Sequence, residues 1–160
     1  MARLIHYGKK FLRKVRSVKQ GSDATAGLGK PCGLWVSVEG EQDWKEWCEA
    51  EQFGCLDCAT QVILKPEARI LWLRGTVGLD KFHEEYSFEQ YRSGTYTRMA
   101  IRWPSVAEKF QGIIIAPYVW SRRLNGPVSN WYYGWDCASG CIWDAEAVAE
   151  LRPIEQAEAA

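Results

Sequence analysis

The chain has 160 residues, zero formal net charge and an ordinary charged fraction of 25%. That length is one domain's worth, enough to bury roughly two-thirds of the unfolded surface, and nine Trp, seven Tyr and five Phe exclude a disordered polymer. The longest apolar run, residues 113–120, is broken by Pro117 and is too short to cross a bilayer, and no apolar stretch of signal-peptide length follows the basic start; the chain reads as a soluble, cytoplasmic protein with no membrane partner.

Residues 4–7 form a short apolar run that reads as a first strand. Residues 8–30 alternate basic and apolar side chains, then dissolve into the glycine-rich stretch 21–29, so residues 20–30 are expected to be a mobile loop. Pro31-Cys32-Gly33 turns the chain into a strand over 34–38, which Gly40 ends. Asp43 is an N-cap for a helix over 44–52, and its Trp44, Trp47, Cys48 and Glu51 stripe reads as core packing. Strands follow over 61–64 and 69–73, around Lys65-Pro66-Glu67. A helix is expected over 79–91, and another from Trp103 with Pro104 in its first turn. Residues 112–117 read as a strand buried on both faces, and 122–130 as a polar loop. Residues 131–137 and 139–143 read as two short strands or one interrupted strand. Asp144 then caps a helix over 145–151, stopped by Pro153. The mixed order predicts an α+β fold, with a central split mixed sheet flanked by helices. It forms a single domain over 1–152, with 153–160 as a tail.

The charges are unevenly placed. Arg3, Lys9, Lys10, Arg13, Lys14, Arg16 and Lys19 crowd the first twenty residues without one acid. This is either a solvated surface or a basic edge that meets phosphate or an acidic partner. Cys55 and Cys58 have the spacing of a zinc half-site, and Cys137 with Cys141 could complete a four-cysteine set. The second spacing is unusual, and His6 and His83 are the only histidines. Free, partly buried thiols without metal are therefore expected. Cys48, Cys55 and Cys58 in particular lack a convincing fourth ligand.

Three segments carry candidate chemistry. His6 sits in a strand, where one ring nitrogen can meet a ligand while the backbone holds the other. Strand alternation puts Trp35 and Ser37 on one face, an aromatic surface plus a hydroxyl suited to a flat polar heterocycle. Asp136 is the only acid of a segment rich in aromatic rings, so it needs hydrogen-bonding partners or a function.

In this chain order the three features resemble the ADP-ribosyltransferase superfamily, and within it small phage enzymes, some of which act as anti-CRISPR proteins. The matching pieces are Ile5-His6-Tyr7, Leu34-Trp35-Val36-Ser37, and Val62-Ile63-Leu64 with Ile70-Leu71-Trp72-Leu73. The chain also looks like phage and bacterial proteins that carry the motifs seen here as Lys30-Pro-Cys-Gly-Leu-Trp-Val-Ser37 and Trp131-Tyr-Tyr-Gly-Trp-Asp136. The superfamily's acid is usually Glu, and Asp136 stands in its place. The resemblance implies a transferase that uses NAD, phage-encoded, modifying a host protein or nucleic acid. It implies that His6 binds the nicotinamide-side ribose, that Trp35 stacks nicotinamide and that Ser37 hydrogen-bonds nearby. Asp136 would stabilise the oxocarbenium-like ribose, and Arg3 or Arg16 would meet the pyrophosphate.

Two other readings stay open on the sequence. Exposed Trp and Tyr would suit a non-catalytic inhibitor or interaction module. Basic residues 9–19 beside aromatics would suit a nucleic-acid binder. A cleft gathering His6, Ser37 and Asp136 favours the enzyme.

Overall fold

The computed structural model describes residues 2–21, 29–40, 42–126 and 128–155. Most of the expected loop, residues 22–28, lies outside the described residues. The fold is α+β, and its strands are β1 (Leu4–Gly8), β2 (Leu34–Val38), β3 (Cys58–Leu64), β4 (Ile70–Leu73), β5 (Ser87–Ser93), β6 (Tyr96–Ile101), β7 (Gly112–Ile115), β8 (Ser139–Ile142) and β9 (Val148–Ile154). The helices are α1 (Trp44–Glu51), α2 (Gly75–Tyr86), α3 (Trp103–Lys109), and the short α4 (Trp120–Arg123) and α5 (Ser129–Tyr132).

Seven strands form one mixed sheet in the order β4-β7-β8-β2-β1-β3-β9, in which only β4 and β7 run parallel. The strands β5 and β6 form a separate hairpin. All four residues of β7 and of β8 are buried, as a strand covered on both faces requires.

The sheet opens at one seam. The strands β1 and β2 share two register pairs, Leu4 with Val38 and Ile5 with Ser37. Beyond them β1 follows β3 to the Gly8–Cys58 pair, while β2 follows β8 to Leu34–Ile142. In place of the expected split sheet there is one hydrogen-bonded mixed sheet whose strands diverge at this seam. Its two sides are β4-β7-β8-β2 and β1-β3-β9.

Four expected elements are otherwise. The helix predicted over 79–91 runs earlier, as α2, and the next residues form β5. Alternating side chains from Ser87 pair with β6 around Gly94, whose φ of 56° suits the tight turn. Trp131 lies in α5 rather than in a strand, so Asp136 sits in the loop before β8. The Asp144 cap and the Pro153 stop predict a helix over 145–151. Instead one 3₁₀ turn, capped by Asp144, leads into β9, which pairs with the open edge of β3. Backbone hydrogen bonds along a whole edge outweigh a propensity difference of tenths of a kcal/mol per residue. Pro153 is accommodated because β9 is an edge strand, and β9 carries the chain two residues into the expected tail.

The strands over 61–64 and 69–73 are β3 and β4, but they are not partners: β4 lies beside β7 at the far edge of the sheet. The helix α1 forms as predicted, with the Asp43 carboxylate accepting from the Glu46 N–H at 2.9 Å. Its stripe is not core, however. Only Cys48 is buried, while Trp44 and Trp47 stack at 4.9 Å and meet the exposed Phe53.

The core holds one buried histidine. His83 on α2 accepts at Nδ1 from the Trp131 indole N–H at 3.2 Å, so its proton resides on Nε2, 3.5 Å from Ser87 Oγ. Burial lowers the His83 pKa, against the opposing pull of Asp80 and Glu84. A histidine depressed in the folded state binds its proton more readily in the unfolded chain. Stability is thus full above the unfolded pKa of about 6.5 and falls as pH drops below it. Melting temperature should decline between pH 6.5 and 5, and less so in His83→Gln; parallel declines in the two proteins would refute this.

Candidate functional site

The open seam holds a cavity of about 290 Å³. Its walls include His6 and Tyr7 from β1, Trp35 and Ser37 from β2, Trp44 from α1, Asp136 and Cys137 from the loop before β8, Ser139 from β8, and Lys30. Four of the residues singled out in the sequence, His6, Trp35, Ser37 and Asp136, therefore share one cavity. The strand register explains how. Ser37 faces its partner Ile5 at the last pair before the strands part, and His6 follows at the parting.

His6 spans the seam where the ladder stops. Its ring nitrogen Nδ1 lies 2.9 Å from the Trp35 carbonyl oxygen. A carbonyl only accepts, so Nδ1 carries a proton. In the neutral ring, Nε2 is then an acceptor, and no hydrogen bond to it occurs among the described residues. Ser37 is 4% exposed, and its Oγ accepts from the Trp44 N–H at 2.9 Å. That bond ties α1 to β2 and leaves the hydroxyl proton available to a ligand.

Trp35 is held on two sides. The Lys30 Nζ lies 4.9 Å from its ring centroid, and Trp135 meets it edge-on at 4.9 Å. A flat ligand can stack on Trp35 only where Lys30 does not cover it. Gly33, between these two residues, has φ +154°, and a Cβ there would come within 2.5 Å of the Ile142 carbonyl oxygen. Only glycine permits that approach of β2 to β8, which gives the Lys30–Ser37 motif its glycine.

Asp136 accepts from Arg123 Nη2 at 3.0 Å, and both side chains are largely buried. The Arg123 guanidinium lies 5.5 Å from the Trp120 ring centroid and 5.4 Å from that of Tyr133, so α4 and the segment after α5 together aim it at the acid. Burial pushes the Lys30 ammonium below the usual lysine range, and the Asp136 charge opposes that shift. Burial likewise pushes the Cys137 thiol up to about 12, so it is neutral at physiological pH and no nucleophile.

Arg3 and Arg16 do not line this cavity. Arg3 forms a two-pronged pair with Glu39, at 2.6 and 2.5 Å, in a neighbouring recess that shares Ile5 and Tyr7 with the cavity. Arg16 is exposed on the segment after β1. The cation at the site is instead Lys30, which the sequence reading passed over although it opens the Lys30–Ser37 motif. Arg123 had no local signal; packing against Trp120 and Tyr133 brings it to Asp136.

The four-cysteine set is not assembled. Cys55 and Cys58 precede or open β3, Cys137 and Cys141 flank or lie in β8, and two strands separate them. That is about 14 Å at ordinary strand spacing. Among the described residues no group of three or more His, Cys, Asp or Glu is placed to hold a metal ion. No protein-family profile matches this chain, and no curated protein or solved structure does.

Proposed function

We propose that the protein is an NAD-dependent ADP-ribosyltransferase-like enzyme acting at the β1–β2 seam. The observation that carries the reading is the convergence of His6, Trp35, Ser37 and Asp136 on one cavity. Three distant segments supply them, and each offers a group that the proposed reaction can use. At about 290 Å³ the cavity is at the small end of the roughly 300–1,000 Å³ usual for ligand sites. It suits the nicotinamide-ribose end of NAD, with the remainder extending past the mouth.

The residues divide the work by their chemistry. The Trp35 and Trp44 rings offer apolar walls to a flat heterocycle. The Ser37 hydroxyl donates to a carbonyl or ribose oxygen, and His6 Nε2 accepts from a ribose hydroxyl. Asp136 carries fixed negative charge where positive charge grows on the ribose carbon as the glycosidic bond breaks. Its bond to Arg123 keeps it in place, so little reorganisation is needed. An acceptor hydroxyl or amine could pass its proton to the same carboxylate.

The test is to incubate the protein with NAD, with and without protein and nucleic-acid acceptors, and to follow nicotinamide release. His6→Ala should weaken NAD binding and turnover together. Absence of NAD binding at millimolar concentration sinks the reading and leaves the interaction module. Lys30 sharpens the test. As the cavity's lysine it should meet the anionic part of NAD, a charge-assisted contact worth about 1.5–3 kcal/mol. Lys30→Gln should therefore weaken NAD binding by about tenfold or more in calorimetry. A dissociation constant within twofold of wild type would remove Lys30 from the site.

A further inference from the structure

Directly after β1 the chain leaves the sheet and runs as a strap, residues 9–20, without helix or strand. It is tied down along its length. The Lys9 carbonyl receives Cys58 Sγ at 3.8 Å, and the Leu12 N–H donates to Thr60 Oγ1 at 3.0 Å, both on β3. Further on, Ser17 Oγ accepts from the Ala145 N–H at 2.9 Å, and the Val18 N–H donates to the Trp143 carbonyl at 2.8 Å. The strap thus crosses from β3 to the end of β8, three strand spacings or about 14 Å. Buried Gln20 closes it with two bonds to the Cys32 backbone, at 2.7 and 2.9 Å.

Side chains sort by sign and polarity along this strap. Phe11, Leu12 and Val15 are half-buried, whereas Lys9, Lys10, Arg13, Lys14, Arg16 and Lys19 are all exposed. None of the six takes part in an ion pair among the described residues. Eight other basic side chains do: Arg3, Lys45, Lys65, Arg92, Lys109, Arg122, Arg123 and Arg152. Lys30, Arg69, Arg74, Lys81, Arg98 and Arg102 are also without an ion pair among the described residues, but they are scattered along the chain, whereas the strap's six cations form a rail between residues 9 and 19 with no acid among them.

The rail adjoins the seam cavity at both ends. It begins two residues after Tyr7, and it closes on Cys32, two residues after Lys30; Tyr7 and Lys30 both line the cavity. We infer that the strap binds the phosphodiester backbone of a nucleic acid and presents it at the mouth of the cavity. Only the last part of this, the nucleic acid as acceptor, rests on the proposed transferase reading. A row of exposed cations held by the fold loses little entropy on meeting a row of phosphates, and released counterions drive the binding. An anionic lipid surface fits less well. A membrane-binding segment turns its apolar side chains outward, and here Phe11, Leu12 and Val15 turn inward while Val18 alone, 38% exposed, faces out.

The experiment measures anisotropy of fluorescein-labelled 20-nucleotide single-stranded DNA, its RNA equivalent and a 20-base-pair duplex, from 50 to 200 mM KCl. If all six cations meet phosphate, affinity should fall by about a thousandfold over that range on duplex. The triple variant R13E/K14E/K19E touches no anchoring bond. It should bind at least tenfold more weakly and show a shallower salt slope, by about 0.7–0.9 for each cation lost. Its melting temperature and its NAD hydrolysis should match wild type. Salt-independent binding, a variant that binds like wild type, or binding to phosphatidylserine vesicles but not to nucleic acid would each overturn the inference. Nucleic-acid binding that persists without NAD turnover would support the strap while ending the transferase reading. NAD turnover without nucleic-acid binding would do the reverse.

Discussion

Asp136→Asn is expected to slow nicotinamide release from NAD by about a hundredfold or more, with a much smaller change in NAD affinity. The substitution keeps shape and removes charge. An Asn side-chain oxygen still accepts from Arg123 Nη2, which now donates to Asp136 at 3.0 Å, so the loop before β8 keeps its anchor. In the proposed reaction, what is lost is the negative charge that would face the ribose as it becomes cationic. That interaction is strongest in the transition state, so turnover should fall further than binding. Asp136→Ala is the poorer experiment, because it also strands the Arg123 guanidinium between Trp120 and Tyr133. Nicotinamide release is measured at saturating NAD, and binding separately by calorimetry. Wild-type turnover in Asp136→Asn removes the acid from the mechanism.

Trp131→Ala should damage the fold severely, at about 3–5 kcal/mol. Trp131 is 1% exposed. Its ring meets Phe82 at 5.3 Å, Tyr132 at 5.7 Å and Trp103 at 6.5 Å, so it joins α2, α3 and α5. Truncation leaves a cavity among three rings that cannot collapse together, and it leaves His83 Nδ1 without its donor. For a chain of this length each kcal/mol moves the melting point by about 2–4 °C, so a fall of roughly 6–20 °C is expected. Trp131→Phe restores most of the volume but not the N–H, and should lose less. A fall below about 3 °C in Trp131→Ala would contradict the assignment of this residue to the core. NAD affinity of the folded variant should hold, since Trp131 does not line the cavity.

Several features of this protein are determined locally and could be read from the chain. The strands β1, β2 and β7 announce themselves by apolar and β-branched runs bounded by Gly and Pro. The helix α1 follows from Asp43 as its cap, and α3 from Pro104 in its first turn. His6 stands out as a histidine within a strand, Trp35 and Ser37 as an aromatic ring and a hydroxyl on one strand face, and Asp136 as the only acid of an aromatic-rich segment. Tertiary contact decided the rest. The chain after Asp144 has the cap and stop of a helix, and the unfilled edge of β3 makes it a strand. The segment from Ser87 to Tyr91 could continue α2, and its pairing with β6 prevents that. The resemblance implies Arg3 or Arg16 as the pyrophosphate ligand, but an ion pair with Glu39 and a place on the strap keep them off the cavity lining. The cavity itself depends on two strands parting after two register pairs. Strand pairing is a relation between segments distant in the chain, so no window of sequence contains it.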